Sequence, residues 1–212
     1  MSKFRIRIAK KSDFREIANI HYLSRESLNS GFFSLATRRF IYLYYKIMLD
    51  DPNFVVLCVE DETSKINGFV SASLDAKKQF KNLSNHKFSL GFSLIPLLFF
   101  RPHLLFEAIK RYKSSLGKSN ERFVNIDGVR GEFWVWDIRK KNSVWAVILY
   151  NSHLNLLSLL GIEKMNFEVD KKNRKILKFH KNNGAKILDN YSLPDGRERL
   201  LMCYYLKNLK NS

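Results

Sequence analysis

Cysteine, proline and glycine are all scarce in this chain. Two cysteines, Cys58 and Cys203, in 212 residues exclude a disulfide scaffold, and two thiols alone cannot build a four-ligand zinc site. Both sit in apolar runs, VVLCVE and LLMCYYL, the setting of small buried side chains in a reducing compartment. Four prolines and nine glycines exclude collagen-like and low-complexity character. The opening MSKFRIRIAKKSDF lacks the apolar core of a signal peptide, so a cytoplasmic protein is expected. Long hydrophobic runs are also lacking. The uncharged FSLGFSLIPLLFF at 88–100 falls short of the ~20 apolar residues that a spanning helix needs. The stretch from Asn142 to Ile162 is long enough, yet it carries Asn142, Asn151, His153, Asn155 and serines, each costly in lipid. A buried helix explains it better, and no transmembrane segment is expected.

Acids are few as well, 20 against 37 lysines and arginines, for a formal charge of +17. Such an excess speaks of polyanionic partners rather than of fold. It admits phosphorylated small molecules, anionic membrane surfaces and nucleic acid. The cations are scattered in short clusters such as Lys77-Lys78 and Arg139-Lys140-Lys141, the pattern of a solvated surface, which makes nucleic acid a poor candidate. Apolar residues at 45% suffice for the core of one domain of ordinary size.

Alternation in Phe4–Ile8 predicts a first strand, and Ser12 is placed to cap a helix through Ile17, Ile20 and Leu23. A second helix is expected over Leu35–Leu49, stopped at Asp50-Asp51-Pro52. Strands follow at 54–61 and 67–75. Residues 76–128 break the rhythm and read as a mainly helical insertion, with helices over Lys77–Leu83 and Phe99–Leu116 and interruptions at Pro96 and Pro102. Then come a strand at 131–138, a long helix from Ser143 to Leu160 closed by Gly161, a strand at 165–170, a helix over Lys172–Asn183 closed by Gly184, and strands at 186–191 and 198–206. The order is β-α-α-β-β-(insertion)-β-α-β-α-β-β.

The segment 169–185, V-D-K-K-N-R-K-I-L-K-F-H-K-N-N-G-A, together with this element order, resembles the GNAT superfamily of acetyl-CoA-dependent N-acetyltransferases. The last core helix of that family shows V-x-x-x-N-x-x-A-x-x-x-Y-x-x-x-G-F. Val169, Asn173 and Gly184 match, while Ile176, His180 and Ala185 replace the small residue, the tyrosine and the phenylalanine. The resemblance covers the chain apart from about 76–128. It implies an α/β fold of α+β type: a single GNAT-like domain with a mixed twisted sheet flanked by helices and the insertion after the third strand.

The resemblance also implies roles. Family members carry R/Q-x-x-G-x-G/A between the fourth strand and the long helix, where backbone N–H groups hold the donor's pyrophosphate. Here that turn reads Ile138-Arg139-Lys140-Lys141-Asn142-Ser143, cationic but without glycine, and with Asn173 it is the expected donor site. Asn173 and His180 are seven residues apart on one helical face, where His180 would protonate the leaving thiolate in place of the tyrosine. Glu132 is the expected general base for the amine; strict alternation sets it with Trp134 and Trp136 on one strand face. An ion pair with Arg130 is its competing role. His21, Phe32 and Phe33 would line the acceptor pocket. The implied activity is transfer of an acyl group, most simply acetyl from acetyl-CoA, to a primary amine such as an amino sugar or nucleotide-linked amino sugar, in the setting of polysaccharide biosynthesis. Acyl carrier protein is an alternative donor, and a non-catalytic basic module binding nucleic acid or the face of an anionic membrane is an alternative function. A homodimer is admitted. The five histidines show no metal-ligand spacing, so no metal is expected.

Overall fold

The computed structural model describes residues 4–25, 32–100, 128–140, 142–193 and 196–207. The expected helix over Phe99–Leu116, apart from its first two residues, and the cation Lys141 lie outside them.

Strand β1 (Arg5–Ile8) leads through α1 (Phe14–Ser24), α2 (Phe32–Leu35) and α3 (Arg38–Met48) to the hairpin β2 (Phe54–Glu60) and β3 (Ile66–Ser73). Helices α4 (Ala76–Asn85) and α5 (Lys87–Phe100) follow, then β4 (Arg130–Trp136), α6 (Ser143–Leu159), β5 (Lys164–Asp170), α7 (Arg174–Asn182), β6 (Lys186–Ser192) and β7 (Glu198–Tyr205). All strands join one seven-stranded sheet in the order β1-β2-β3-β4-β5-β7-β6. Every pairing is antiparallel except β4 with β5.

Local chemistry sets several boundaries. Thr37 caps α3 by accepting from the Phe40 N–H at 3.0 Å, a bond worth about 1 kcal/mol. Asn142 and Asn173 cap α6 and α7 through the N–H groups of Trp145 and Ile176. Gly161 and Gly184, at φ +81° and +86°, turn the chain out of those helices. Pro96 does not interrupt a helix as expected. It lies inside α5, where the carbonyl it leaves unbonded belongs to Phe92, an exposed residue whose backbone water can satisfy.

The sheet buries both faces. On one, α1, α3 and α5 pack Ile17, Ile41, Tyr45 and Leu94 against Val56, Phe69 and Val135. On the other, α6 and α7 set Leu149, Leu157 and Leu177 against Leu57, Val70, Phe167 and Met202.

Two departures from regularity sit in the middle strands. Gly131 pairs with Ala72 and Trp134 with Val70, so Ser71 of β3 faces both Glu132 and Phe133 of β4. This is a β-bulge, and it overturns the strict alternation expected of β4. Glu132 no longer shares a face with Trp134. Parallel pairing of β4 with β5 is limited to Arg130 opposite Asn166. Beyond that point the two strands diverge, and the sheet opens into a fork at its centre.

Candidate active site

The fork holds a cavity of about 700 Å³ that reaches both sheet faces. Glu132, Phe133 and Trp134 of β4 and Phe167 and Glu168 of β5 line it. Gly131 lies at the crotch: a Cβ there would stand 3.2 Å from that of Phe167 and 3.3 Å from Met165 Sδ.

On the α6–α7 face the lining is aromatic and histidine-bearing. His180 is buried, with Nδ1 2.9 Å from the Tyr204 hydroxyl, and its ring lies 4.5 Å from that of Phe167. Tyr150 in turn hydrogen-bonds Tyr204. With Tyr204 donating to Nδ1, the single proton of the neutral ring resides on Nε2. Burial lowers the His180 pKa to about 4, so at neutral pH it is an N–H donor and not an imidazolium. Asn173 lines the same cavity from the start of α7, which it caps. His153 borders it from α6; both its ring nitrogens are buried without a partner, and burial lowers its pKa to about 4.

Trp134 sits between the flanking helices, 4.7 Å from the ring of Tyr150 and 4.8 Å from that of Phe179. Its indole N–H donates to the Ala146 carbonyl at 3.2 Å. That indole narrows the fork from the α6 side.

The opposite face is charged at its floor and apolar at its wall. Arg130 and Glu132 form a buried ion pair, with Arg130 Nε 2.9 Å from Glu132 Oε1. Gln79 accepts from the same guanidinium at 3.4 Å, and Phe80 lies under it at 5.0 Å. Glu132 thus fills the competing role noted from sequence while it also lines the cavity. Arg199 donates to Glu168 at 3.1 Å, and Asp170 and Arg197 complete the charged floor. Phe32, Phe33, Phe40, Leu83, Leu90 and Leu94 make the wall.

His21 stands behind that wall. It is fully buried, its Nδ1 lies 2.7 Å from the Tyr45 hydroxyl, and its ring stacks on Phe33 at 5.3 Å. Burial pushes its pKa down to about 3. It therefore supports Phe33 instead of facing the cavity.

The turn before α6 lies apart from the cavity lining. Ile138 is half exposed at 49%. Arg139 grips Asp137 through Nε and Nη2 at 2.9 and 2.6 Å, and Lys140 reaches Asp61 at 2.8 Å. The Trp136 indole donates to the Lys140 carbonyl. The Asn142 carboxamide already takes the Trp145 N–H, which leaves Ser143 and the exposed Val144 at the helix start. Trp145 packs on Phe4, ring centroids 5.2 Å apart, and is not part of the cavity lining. The turn's two described cations are thus held by carboxylates that a phosphate there would have to displace.

Sequence reasoning missed Tyr150, Tyr204, His153, Arg197 and Arg199. Each is an ordinary residue in a helix or strand pattern, and only the fork brings them together. Among the described residues no group of three or more His, Cys, Asp or Glu could hold a metal ion, and no helix is long and apolar enough to cross a membrane.

No protein-family model matches the chain, and no curated protein matches its sequence. Solved structures do match. A GNAT-family acetyltransferase from Streptococcus pneumoniae aligns over 96% of this chain and 99% of its own, at 16% identity and a TM-score of 0.54. A spermidine N-acetyltransferase chimera of the Vibrio cholerae protein and hSSAT aligns over 100% of both chains, at 13% identity and a TM-score of 0.59. The ribosomal-protein-S18-alanine N-acetyltransferase from Escherichia coli covers 96% of this chain and 94% of its own, at 9% identity and a TM-score of 0.52. The forked mixed sheet and its flanking helices are thus the fold of the GNAT N-acetyltransferases. At these identities the likeness is one of fold.

Proposed function

We propose that this protein is an N-acyltransferase that moves an acyl group, most simply acetyl from acetyl-CoA, to a primary amine. The observation that carries the reading is the fork itself. One cavity joins a carboxylate, Glu132, on one sheet face to a neutral imidazole, His180, on the other, across a strand pair that has parted.

The donor's pantetheine arm enters between β4 and β5 from the α6–α7 face, and the amine approaches from the α3–α5 face. Glu132 takes a proton from the attacking nitrogen, directly or through water. The nitrogen bonds to the thioester carbonyl carbon, the carbon–sulfur bond breaks, and the sulfur leaves with its electron pair. His180, fixed by Tyr204, donates an Nε2–H hydrogen bond to that sulfur. Because its pKa is about 4, this bond stabilises the departing thiolate, and full delivery of a proton from an imidazolium is not its part. An amino sugar, free or carried on a nucleotide and acylated in the cytoplasm for polysaccharide synthesis, matches the mixture of apolar wall and charged floor.

The turn favours a second donor. Arg139 and Lys140 are engaged by Asp137 and Asp61, so the pyrophosphate of coenzyme A gains less here than at a glycine-lined turn. An acyl carrier protein offers the same arm without the adenosine phosphates, and its acidic surface suits a chain of charge +17. Titration calorimetry with acetyl-CoA and with an acetylated carrier protein tests both. Binding of either supports acyl transfer and names the donor; binding of neither overturns it.

A further inference from the structure

The charged floor of the cavity departs from what a simple amine would need. Four cationic side chains, Lys87, Arg130, Arg197 and Arg199, line it beside three carboxylates, Glu132, Glu168 and Asp170. A site for a polycation would be lined by acids. Here the cations outnumber the acids by one, and two of them, Arg197 and Arg199, lie two residues apart, Arg199 on β7 and Arg197 just before it. Arg199 keeps Nη1 on Glu168, while its Nε is buried without a partner. Buried polar groups without partners are uncommon in folded chains, and a ligand that completes them recovers their desolvation cost.

Resting on the acyltransferase reading, we infer that the acceptor is an amine that also carries an anion, held by Arg197 and Arg199 while the amine meets Glu132. Arg199 reaches Glu168 of β5, the strand between β7 and β4, and its side chain lines the same cavity as Glu132. A phosphorylated amino sugar carries both an amine and an anion, and its ring has the apolar wall of Phe32, Phe33 and Leu90 to lie against. Alanine has no ring to place on that wall.

The test measures acceptor binding by calorimetry on the full chain, without donor, so that it does not depend on turnover. The probes are glucosamine 1-phosphate, glucosamine 6-phosphate, glucosamine, alanine and a linear polyamine. At least one phosphate ester is expected to bind tenfold or more tightly than glucosamine, and Arg199→Gln to abolish that advantage by weakening the ester more than glucosamine. Arg197→Gln provides the same readout should the first variant fold poorly. Equal affinity of the esters and glucosamine, tighter binding of the polyamine or alanine, no binding of either ester, or an advantage that survives both substitutions would each overturn the inference. Acyl transfer to an unphosphorylated amine without any anion preference would sink this inference and leave the acyltransferase reading intact. Anion-dependent binding without transfer from any thioester would do the reverse.

Discussion

Arg130 closes its guanidinium on Glu132, two residues further along the same strand, and both side chains are more than nine-tenths buried. Alternation sets Glu132 on the face that Arg130 occupies, and the bulge opposite Ser71 then turns Trp134 to the other face. The carboxylate proposed as base is also the counter-charge of a buried cation, and the two roles can be separated. Glu132→Gln is expected to lower kcat by 100-fold or more and to destabilise the fold by about 3 kcal/mol, because it strands a buried charge. The double substitution Arg130→Met with Glu132→Gln should recover most of the stability and none of the activity. Urea unfolding alongside kinetics reads both quantities, and activity recovered with stability would remove Glu132 from the chemistry.

In the proposed reaction His180 donates a hydrogen bond to the leaving sulfur, its ring held by the Nδ1 contact with Tyr204. His180→Phe is therefore expected to reduce kcat by 10- to 1,000-fold, and Tyr204→Phe, which frees the ring to turn, by about tenfold with little change in KM. Because the His180 pKa is about 4, the rate profile between pH 5.5 and 8 should contain no ionisation that His180→Phe removes. A limb near pH 6.5 that vanishes in that variant would show an imidazolium acid instead.

Three buried histidines make stability depend on pH. His21, His153 and His180 have folded pKa values of about 3, 4 and 4, against about 6.5 in an unfolded chain. Between these limits the unfolded state binds more protons, so stability is full above pH 6.5 and falls as pH drops toward 4. Each group contributes on the order of 3 kcal/mol to that loss. His153→Leu should flatten the curve and cost little at pH 7, since it removes two nitrogens that have no partners. A variant with the unchanged slope would place the proton uptake elsewhere.

Much of this molecule is legible in its sequence. Strand alternation and the glycines at 161 and 184 mark the element order, because each depends on neighbours a few residues away. The caps at Asn142 and Asn173 were not read from sequence, and Ser12, expected to cap the first helix, lies inside a 3-10 turn. The fork and the bulge are not legible. They arise where β4 meets β3 on one side and leaves β5 on the other, and no local pattern in GEFWVW records that. Pro96 misled for a related reason: a proline breaks a helix by what its missing N–H costs, and in α5 the affected carbonyl belongs to an exposed turn. Glu132, His180, Phe32 and Phe33 were reachable through family resemblance. Arg197 and Arg199 were not, since nothing beside them in sequence distinguishes them from other surface cations.

The turn before α6 yields a prediction of opposite sign for acids and bases. Arg139 and Lys140 are tied to Asp137 and Asp61, so a phosphate must compete for them. Asp137→Asn with Asp61→Asn should tighten coenzyme A binding severalfold, and Arg139→Ala with Lys140→Ala should weaken it by about tenfold, both effects shrinking as salt rises. Affinities at low and high ionic strength check this. Insensitivity to all four substitutions would mean that the donor's phosphates do not rest on this turn.

Gly68 sets the last expectation. It lies opposite Trp136 across the β3–β4 pair, and the indole lies so flat over it that an added Cβ would fall 2.4 Å from Cε3. That indole cannot simply rotate away, for its N–H is bonded to the Lys140 carbonyl and so closes the turn before α6. Gly68→Ala must displace the ring or spread the strands, at a cost of about 1–3 kcal/mol. Through the Lys140 bond it should also loosen the turn, so donor affinity falls together with thermal stability. Gly68→Ala combined with Trp136→Leu removes the clash and should restore the melting temperature while donor binding stays weakened. If the single substitution is neutral in melting, the close approach of Trp136 to Gly68 is not what shapes this corner of the sheet.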